Sequence, residues 1–146
     1  MIHSYLQVWL HIVWRTKNSE RILFDKKAIQ IREHIISYAK KSDIRIEAIN
    51  IQPEHVHTLI NLPSDKMIKD IVKAIKGESS HYINTNSLCP KAFSWARGYG
   101  AFSLGHSQLK IVKNYIRSQE EHHKRRNFTE EWKLILEKYG LQDENR

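Results

Sequence analysis

Cysteine is nearly missing from this chain. Its one thiol, Cys89, cannot form an internal disulfide, so packing and hydrogen bonding must hold the fold. Long apolar runs are missing too, both the hydrophobic core of a secretion signal and any stretch long enough to span a bilayer. A cytoplasmic protein with no membrane partner is expected. There is no internal repeat or low-complexity tract, and only three prolines and five glycines interrupt the 146 residues. The expectation is one domain over residues 1–146 without a linker, large enough to bury a core. Acidic charge is in deficit: 16 Asp and Glu stand against 24 Lys and Arg, a formal net charge of +8. Such a field attracts polyanions and supplies non-specific nucleic-acid affinity, although solubility alone can also account for a basic balance.

What is present is a succession of short periodic segments. From Tyr5 to Trp14 the even positions Leu6, Val8, Leu10, Ile12 and Trp14 are apolar while Gln7, Trp9 and His11 alternate with them, which predicts a strand with one packing face and one face open to chemistry. Asp25 is a plausible N-cap for a helix over residues 26–41, in which Ala28, Ile31, Ile35 and Tyr38 fall at helical spacing. Ile44 to Ile51 is rich in β-branched residues, Gln52-Pro53 signals a turn, and His55 to Leu62 alternates again, so two antiparallel neighbours are expected. Pro63-Ser64 opens a second helix with Ile68, Ile71, Val72 and Ile75 on one face and Lys69, Lys73 and Lys76 on another. Phe93 to Leu104 combines aromatics with Gly98 and Gly100 and suits a bent or interrupted strand. Ser107 can cap a third helix running to Arg126, and Thr129 can begin a fourth ending before Gly140. The resulting βαββαβ order predicts an α+β fold of the ferredoxin-like or RRM-like kind, an antiparallel sheet with additional C-terminal helices.

Several side chains carry chemistry. His55 and His57 are two apart on a strand and project to one face, so their imidazoles can offer two nitrogens to a divalent ion, with further ligands from elsewhere. A surface or hydrogen-bonded histidine pair fits the same spacing. Tyr115 and Gln119 lie one turn apart on the third helix, so a phenol and an amide can enter one site together; Tyr115 also borders the Leu109, Val112 and Ile116 stripe, as a core tyrosine would. His11 lies on the polar-alternating face of the first strand and is a possible neighbour of the site, as proton carrier or phosphate contact. Lys69, Lys73 and Lys76 can follow a nucleic-acid backbone, and so can Arg117, Lys124 and Arg125, although basic residues also suit a helix C-terminus or a solvated face. Trp9, Trp14, Trp95, Tyr99 and Phe102 offer stacking surfaces for unpaired bases or material for the core.

Taken in order, His11-Ile12-Val13-Trp14-Arg15-Thr16-Lys17, Pro53-Glu54-His55-Val56-His57, Ile75-Lys76-Gly77-Glu78-Ser79-Ser80, Trp95-Ala96-Arg97-Gly98-Tyr99-Gly100-Ala101-Phe102-Ser103 and Tyr115-Ile116-Arg117-Ser118-Gln119-Glu120-Glu121-His122-His123 cover nearly the whole chain. In these segments and their spacing the chain resembles the HUH transposases of the single-tyrosine type, encoded by the smallest bacterial and archaeal insertion sequences. The resemblance implies that His55, His57 and Gln119 bind Mg²⁺ or Mn²⁺ and that Tyr115 is the nucleophile. It implies single-stranded DNA with hairpin-forming ends as the substrate and a 5′-phosphotyrosine intermediate. It also implies a homodimer in which the tyrosine helix of one subunit completes the metal site of the other. His122 or His123 can replace Gln119 as the third ligand after a modest helix rotation. The position before the first histidine, Asp in many relatives, is Glu54 here, expected to tune the surroundings of the site or the turn rather than to catalyse.

Three other readings fit part of this pattern. A host-serving HUH endonuclease acting on repeated hairpins would carry the same catalytic residues. An RRM-like single-strand binder would need no metal, but no glycine-aromatic signature of the RNA-binding modules stands in the strands. A histidine-metal hydrolase would nick with water and form no adduct.

Overall fold

The computed structural model describes residues 4–119 and 127–142. Four strands, β1 (Trp9–Arg15), β2 (Arg45–Ile51), β3 (His55–Asn61) and β4 (Gly100–Leu104), form one antiparallel sheet in the order β2-β3-β1-β4. Helix α1 (Asp25–Lys41) joins β1 to β2, and α2 (Ile68–Thr85) joins β3 to β4. This is the predicted βαββαβ arrangement, with the first and third strands central.

The main core lies between one sheet face and the two crossover helices. Leu10, Ile12 and Trp14 of β1 and Val56 and Ile60 of β3 meet Ile31, Ile35 and Ala39 of α1 and Ile71, Val72 and Ile75 of α2. Period two on the strands and period three to four on the helices bring these side chains to a common layer, and each large one fully buried contributes about 1.5–3 kcal/mol. Trp95 closes one end, its indole N–H donating to Ser79 Oγ at 2.9 Å.

A β-bulge resets β2. Ile46 pairs with Ile60 and Ala48 with Leu59, so Glu47 is the extra residue. Ile44 and Ile46 face the main core before it, Glu47 and Ala48 both turn toward the opposite face, and Ile49 and Ile51 return to the core after it.

The opposite face is covered as well. Helix α3 (Leu109–Arg117), entered through a short 3-10 turn at His106–Gln108, lays Val112 and Ile116 on Trp9, Ala48 and Leu59. Beside it, α4 (Phe128–Lys138) packs Ile135 and Leu136 against Phe102. The sheet is therefore the middle of three layers, and the face of β1 expected to be open is buried at Trp9 and His11. Gly100 makes the close approach of α4 possible: a Cβ there would stand 2.5 Å from the Trp132 ring.

Several boundaries differ from expectation. The first strand begins at Trp9, which pairs with Asn61 and Leu104; Val8 keeps one backbone bond, its carbonyl accepting from the Leu62 N–H at 2.8 Å, and Tyr5, Leu6 and Val8 are exposed. Asp25 is the first residue of α1 rather than its cap, Phe24 taking the cap position. Helix α2 starts at Ile68, five residues beyond Pro63. The strand expected from Phe93 is confined to Gly100–Leu104, preceded by an isolated bridge between Trp95 and Thr16 and by Gly98 at φ +84°. No side chain caps α3, and it ends at Arg117 with Ser118 as its C-cap, short of the continuation to Arg126 that was expected; residues 120–126 lie outside the described residues. Asn127 rather than Thr129 caps α4, accepting from the Glu130 N–H at 2.9 Å.

Candidate active site

His55 and His57 open β3 directly after the Gln52-Pro53 turn, opposite Arg15 and Val13 of β1. Both imidazoles are held from behind. His55 Nδ1 lies 2.7 Å from Glu54 Oε1, and Glu54 Oε2 is in turn 3.2 Å from Arg21 Nε. His57 Nδ1 shares a hydrogen bond of 2.9 Å with His11 Nε2. With their Nδ1 atoms engaged, both rings turn Nε2 toward α4, where Glu131 waits: its Oε1 is 3.0 Å from His57 Nε2 and its Oε2 is 3.4 Å from His55 Nε2. Tyr115 of α3 donates its phenol hydrogen to Glu131 Oε1 at 2.7 Å. Phe128, one turn before Glu131, stacks on His55 with ring centroids 4.4 Å apart.

The cluster is dry. His55 and His57 are fully buried, and Glu131 and His11 nearly so. Burial works against charge on His55, but the hydrogen bonds from Glu131 and Glu54 outweigh it and raise its pKa. Burial also works against the Glu131 carboxylate, yet its bonds to His55 and His57 hold it far below the usual carboxylate range. For His11 the balance is reversed: burial first, then the neighbouring His57, outweigh the attraction of Glu131 and push its pKa well down, so it stands neutral.

These atoms fit a divalent ion. One ligand atom each from His55, His57 and Glu131 lies within 4.8 Å of the others. Two imidazole nitrogens and a hard carboxylate oxygen suit Mn²⁺ or Mg²⁺, and both Nδ1 atoms carry the rear hydrogen bonds that fix ligand tautomers. Gln119, two residues past the end of α3, is fully buried, and among the described residues neither atom of its amide has a hydrogen-bond partner. A buried orphan amide of that kind is costly unless a ligand satisfies it.

The structure thus brings His55, His57, Tyr115 and His11 together, whereas Gln119, expected on the helix of Tyr115, is buried two residues past the end of α3 at Arg117, beyond the turn at Ser118. His122, His123, Lys124 and Arg125 lie outside the described residues. Lys69 and Lys73 are exposed on α2, which packs on the sheet face opposite the histidines. Lys76 is committed otherwise: its half-buried ammonium donates to the carbonyls of Ala96 at 2.8 Å and Gly98 at 3.0 Å, clamping the segment before β4. Arg117 is exposed at the end of α3. Of the aromatics, Trp9, Trp14, Trp95 and Phe102 are core and Tyr99 is exposed. Glu54 supports His55 from behind, as expected. Glu131 was not anticipated, although α4 carries a signal for it: Phe128, Glu131, Trp132, Ile135 and Tyr139 share one helical face, and a carboxylate within an apolar stripe requires a partner.

Known proteins share this fold. A family described as "Transposase IS200 like" matches residues 4–119. The ISDra2 transposase TnpA of Deinococcus radiodurans is 23% identical over 120 residues, which cover 79% of this chain and 86% of that one. A crystal structure of a candidate transposase from Deinococcus radiodurans R1 superposes with a TM-score of 0.65 at 22% identity, over 82% of this chain and 95% of that one. A REP-associated tyrosine transposase bound to a REP hairpin gives a TM-score of 0.61 at 19% identity, over 84% and 73%. With the family match spanning most of the sequence and the same fold in its relatives, the chain belongs to the IS200-like transposases.

Proposed function

We propose that this transposase cleaves and rejoins single-stranded DNA through a 5′-phosphotyrosine at Tyr115, with Mg²⁺ or Mn²⁺ held by His55, His57 and one or both of Glu131 and Gln119. The observation that carries the reading is the convergence of a phenol with the two imidazoles on one carboxylate, Tyr115 Oη and His57 Nε2 lying 2.7 and 3.0 Å from Glu131 Oε1. A divalent ion there would neutralise charge on the phosphate and align it. The chain's own residues supply the rest. Glu54 and His11 fix the imidazoles, and Glu131 aims the phenol oxygen. In the cleavage step the Tyr115 oxygen forms a bond to phosphorus as the bond from phosphorus to the 3′ oxygen breaks. The phenol gives up its proton, and the departing 3′ oxygen takes one up. Attack by a 3′-hydroxyl of another strand reverses these changes and reseals the DNA. A phenolate leaves more easily than a sugar alkoxide, so the intermediate keeps the energy of the broken bond.

The REP-associated relative was solved with a hairpin, which supports hairpin-forming ends as the DNA this chain recognises. No helix among the described residues is long and apolar enough to cross a membrane, and action on DNA supports a cytoplasmic location. Within one chain Tyr115 already stands over His57, with ring centroids 5.8 Å apart, so completing the cluster requires no exchange of helices between subunits of a homodimer. The test is direct. Wild type and Tyr115→Phe are incubated with Mn²⁺ and labelled single strands from both flanks of the gene, then resolved on a denaturing gel. A protein-linked product seen only with Tyr115 and lost with chelator is expected; cleavage retained in Tyr115→Phe would remove the nucleophile assignment.

A further inference from the structure

A cavity of mixed polar and apolar lining opens at the edge of the sheet, next to the strand that carries the histidines. It is a groove of about 630 Å³ between the start of α1 and the edge strand β2, lined by Arg21, Phe24, Arg32, Asn50 and Gln52, with Asp25 the one carboxylate among its lining residues. That volume falls within the ~300–1,000 Å³ common for small-ligand sites. Phe24 is 44% exposed, a large aromatic left in solvent at the mouth of a cavity.

Two connections tie the groove to the cluster. Asn50 is the register partner of His57, and the Gln52 N–H donates to the His55 carbonyl at 2.8 Å, so the groove's amides stand on the strand next to the histidines. Arg21 reaches Glu54, which holds His55 from behind. Gln52 Nε2 donates to Asn50 Oδ1 at 2.6 Å, which fixes both amides and leaves Asn50 Nδ2 as donor and Gln52 Oε1 as acceptor. Arg32 is steadied by the Ile49 carbonyl at 3.5 Å, and the Arg21 side chain, 60% exposed, still presents its outer N–H groups.

We infer that this groove seats one unpaired nucleotide of the DNA strand on the β2 side of the cleaved phosphate. The guanidinium groups of Arg21 and Arg32 take the backbone phosphate, the Phe24 ring stacks on the base, and the Asn50 and Gln52 amides meet its edge. Planar guanidinium forks match phosphate oxygens, and aromatic faces hold unpaired bases with little regard to sequence. A nucleotide of the strand and a free nucleoside monophosphate share this chemistry, and continuity with the histidine cluster favours the strand. The inference rests on the strand-transfer reading, from which its test can be separated.

The probe is a fluorescent oligo-dT of about twenty nucleotides carrying one 5-iodouracil, used with full-length protein in chelator so that metal plays no part. Anisotropy gives affinity against salt, and irradiation followed by peptide mapping gives the contact. Phe24→Ala is expected to weaken binding roughly fivefold or more, and Arg32→Gln to lower the slope of log affinity against log salt by about 0.7, the loss of one phosphate contact on a single strand. The slope would not respond to a purely structural role, and melting curves verify that both variants fold. The crosslink is expected within the peptide carrying Phe24. Unchanged affinity and slope in both folded variants, or a crosslink mapping elsewhere, overturns the inference. Displacement by thymidine monophosphate at the oligonucleotide's own concentration overturns the strand assignment. Binding and crosslinking at Phe24 without adduct formation on any DNA would remove the strand-transfer reading and leave the groove a nucleotide site; normal adduct formation with a silent groove would do the reverse.

Discussion

Glu131 is the residue on which most of the site's chemistry meets. Its carboxylate touches both imidazoles and the phenol in a space closed to water, so its loss should be felt first as metal affinity. Glu131→Ala is expected to weaken Mn²⁺ binding at least about tenfold by titration calorimetry, a carboxylate being a much better ligand for a hard ion than the water that replaces it. Unchanged affinity with faster adduct formation would instead mean that the carboxylate occupies the place of the scissile phosphate. Protonation gives a second handle. The raised pKa of His55 contributes stability that is complete below the unfolded value of about 6.5 and is lost as pH rises through the folded value. His11, lowered chiefly by burial, costs stability in the opposite window, as pH falls below about 6.5 toward its folded value. The depressed Glu131 contributes above its unfolded value and matters only at lower pH. In chelator the melting temperature should therefore peak near about pH 6.5 and fall on both sides, while the rise produced by Mn²⁺ grows above that pH as His55 deprotonates. A melting temperature in chelator that climbs steadily to pH 8 would contradict the His55–Glu131 ion pair.

At the scale of elements, the C-terminal helix decides whether the histidines are surface or core. Helix α4 lays Phe128 on His55 and passes its Trp132 ring over Gly100, where no Cβ intervenes. Gly100→Ala is expected to push Trp132 outward and destabilise the fold by about 1–3 kcal/mol in denaturant unfolding, the usual range for overpacking. A variant as stable as wild type would show that α4 yields without cost. The elements were legible in the sequence where one period runs unbroken: Leu10, Ile12 and Trp14 declared the core face of β1, and His55 and His57 declared a shared face of β3, because strand geometry alone fixes those directions. The bulge at Glu47 was hidden, since an extra residue leaves the β-branched pattern of β2 intact while reversing its phase. Tyr5 to Gln7 continued a strand pattern beyond the ends of β3 and β4, whose lengths the pattern of β1 does not record. Tyr115 was visible beside the apolar stripe of α3, but the turn at Ser118 that separates Gln119 from that helix was not, and Glu131 reaches the phenol from a different helix, across a separation no local period records. The stripe of Lys69, Lys73 and Lys76 was legible only as a face, for a related reason: spacing does not say which ammonium has carbonyls within reach, as that of Lys76 does.

At the scale of the whole molecule, the question is whether one chain contains a complete site. The family resemblance implies a shared one, in which a tyrosine helix serves the partner's histidines. Here α3 is bound to its own sheet through Val112 and Ile116 on Trp9, Ala48 and Leu59, and Lys113 is paired with Glu47 at 2.7 Å. Exchanging that helix with a partner would require the apolar cluster and the ion pair to open before they re-form on the partner's sheet, and Tyr115 would leave a carboxylate it already contacts. Assembly within one chain is therefore expected, and complementation reads it directly. Tyr115→Phe lacks only the nucleophile and His57→Ala only a metal ligand, so a mixture of the two regains wild-type pairing of tyrosine and histidines only if those residues come from different chains. No adduct above the sum of the separate variants is expected, even after co-expression has formed any hybrid oligomers and differential tags have isolated them. Recovery of a substantial part of wild-type adduct formation in the isolated hybrid would place Tyr115 in the partner's site during catalysis, and the contact with its own Glu131 would then belong to a resting arrangement that opens before DNA is cut.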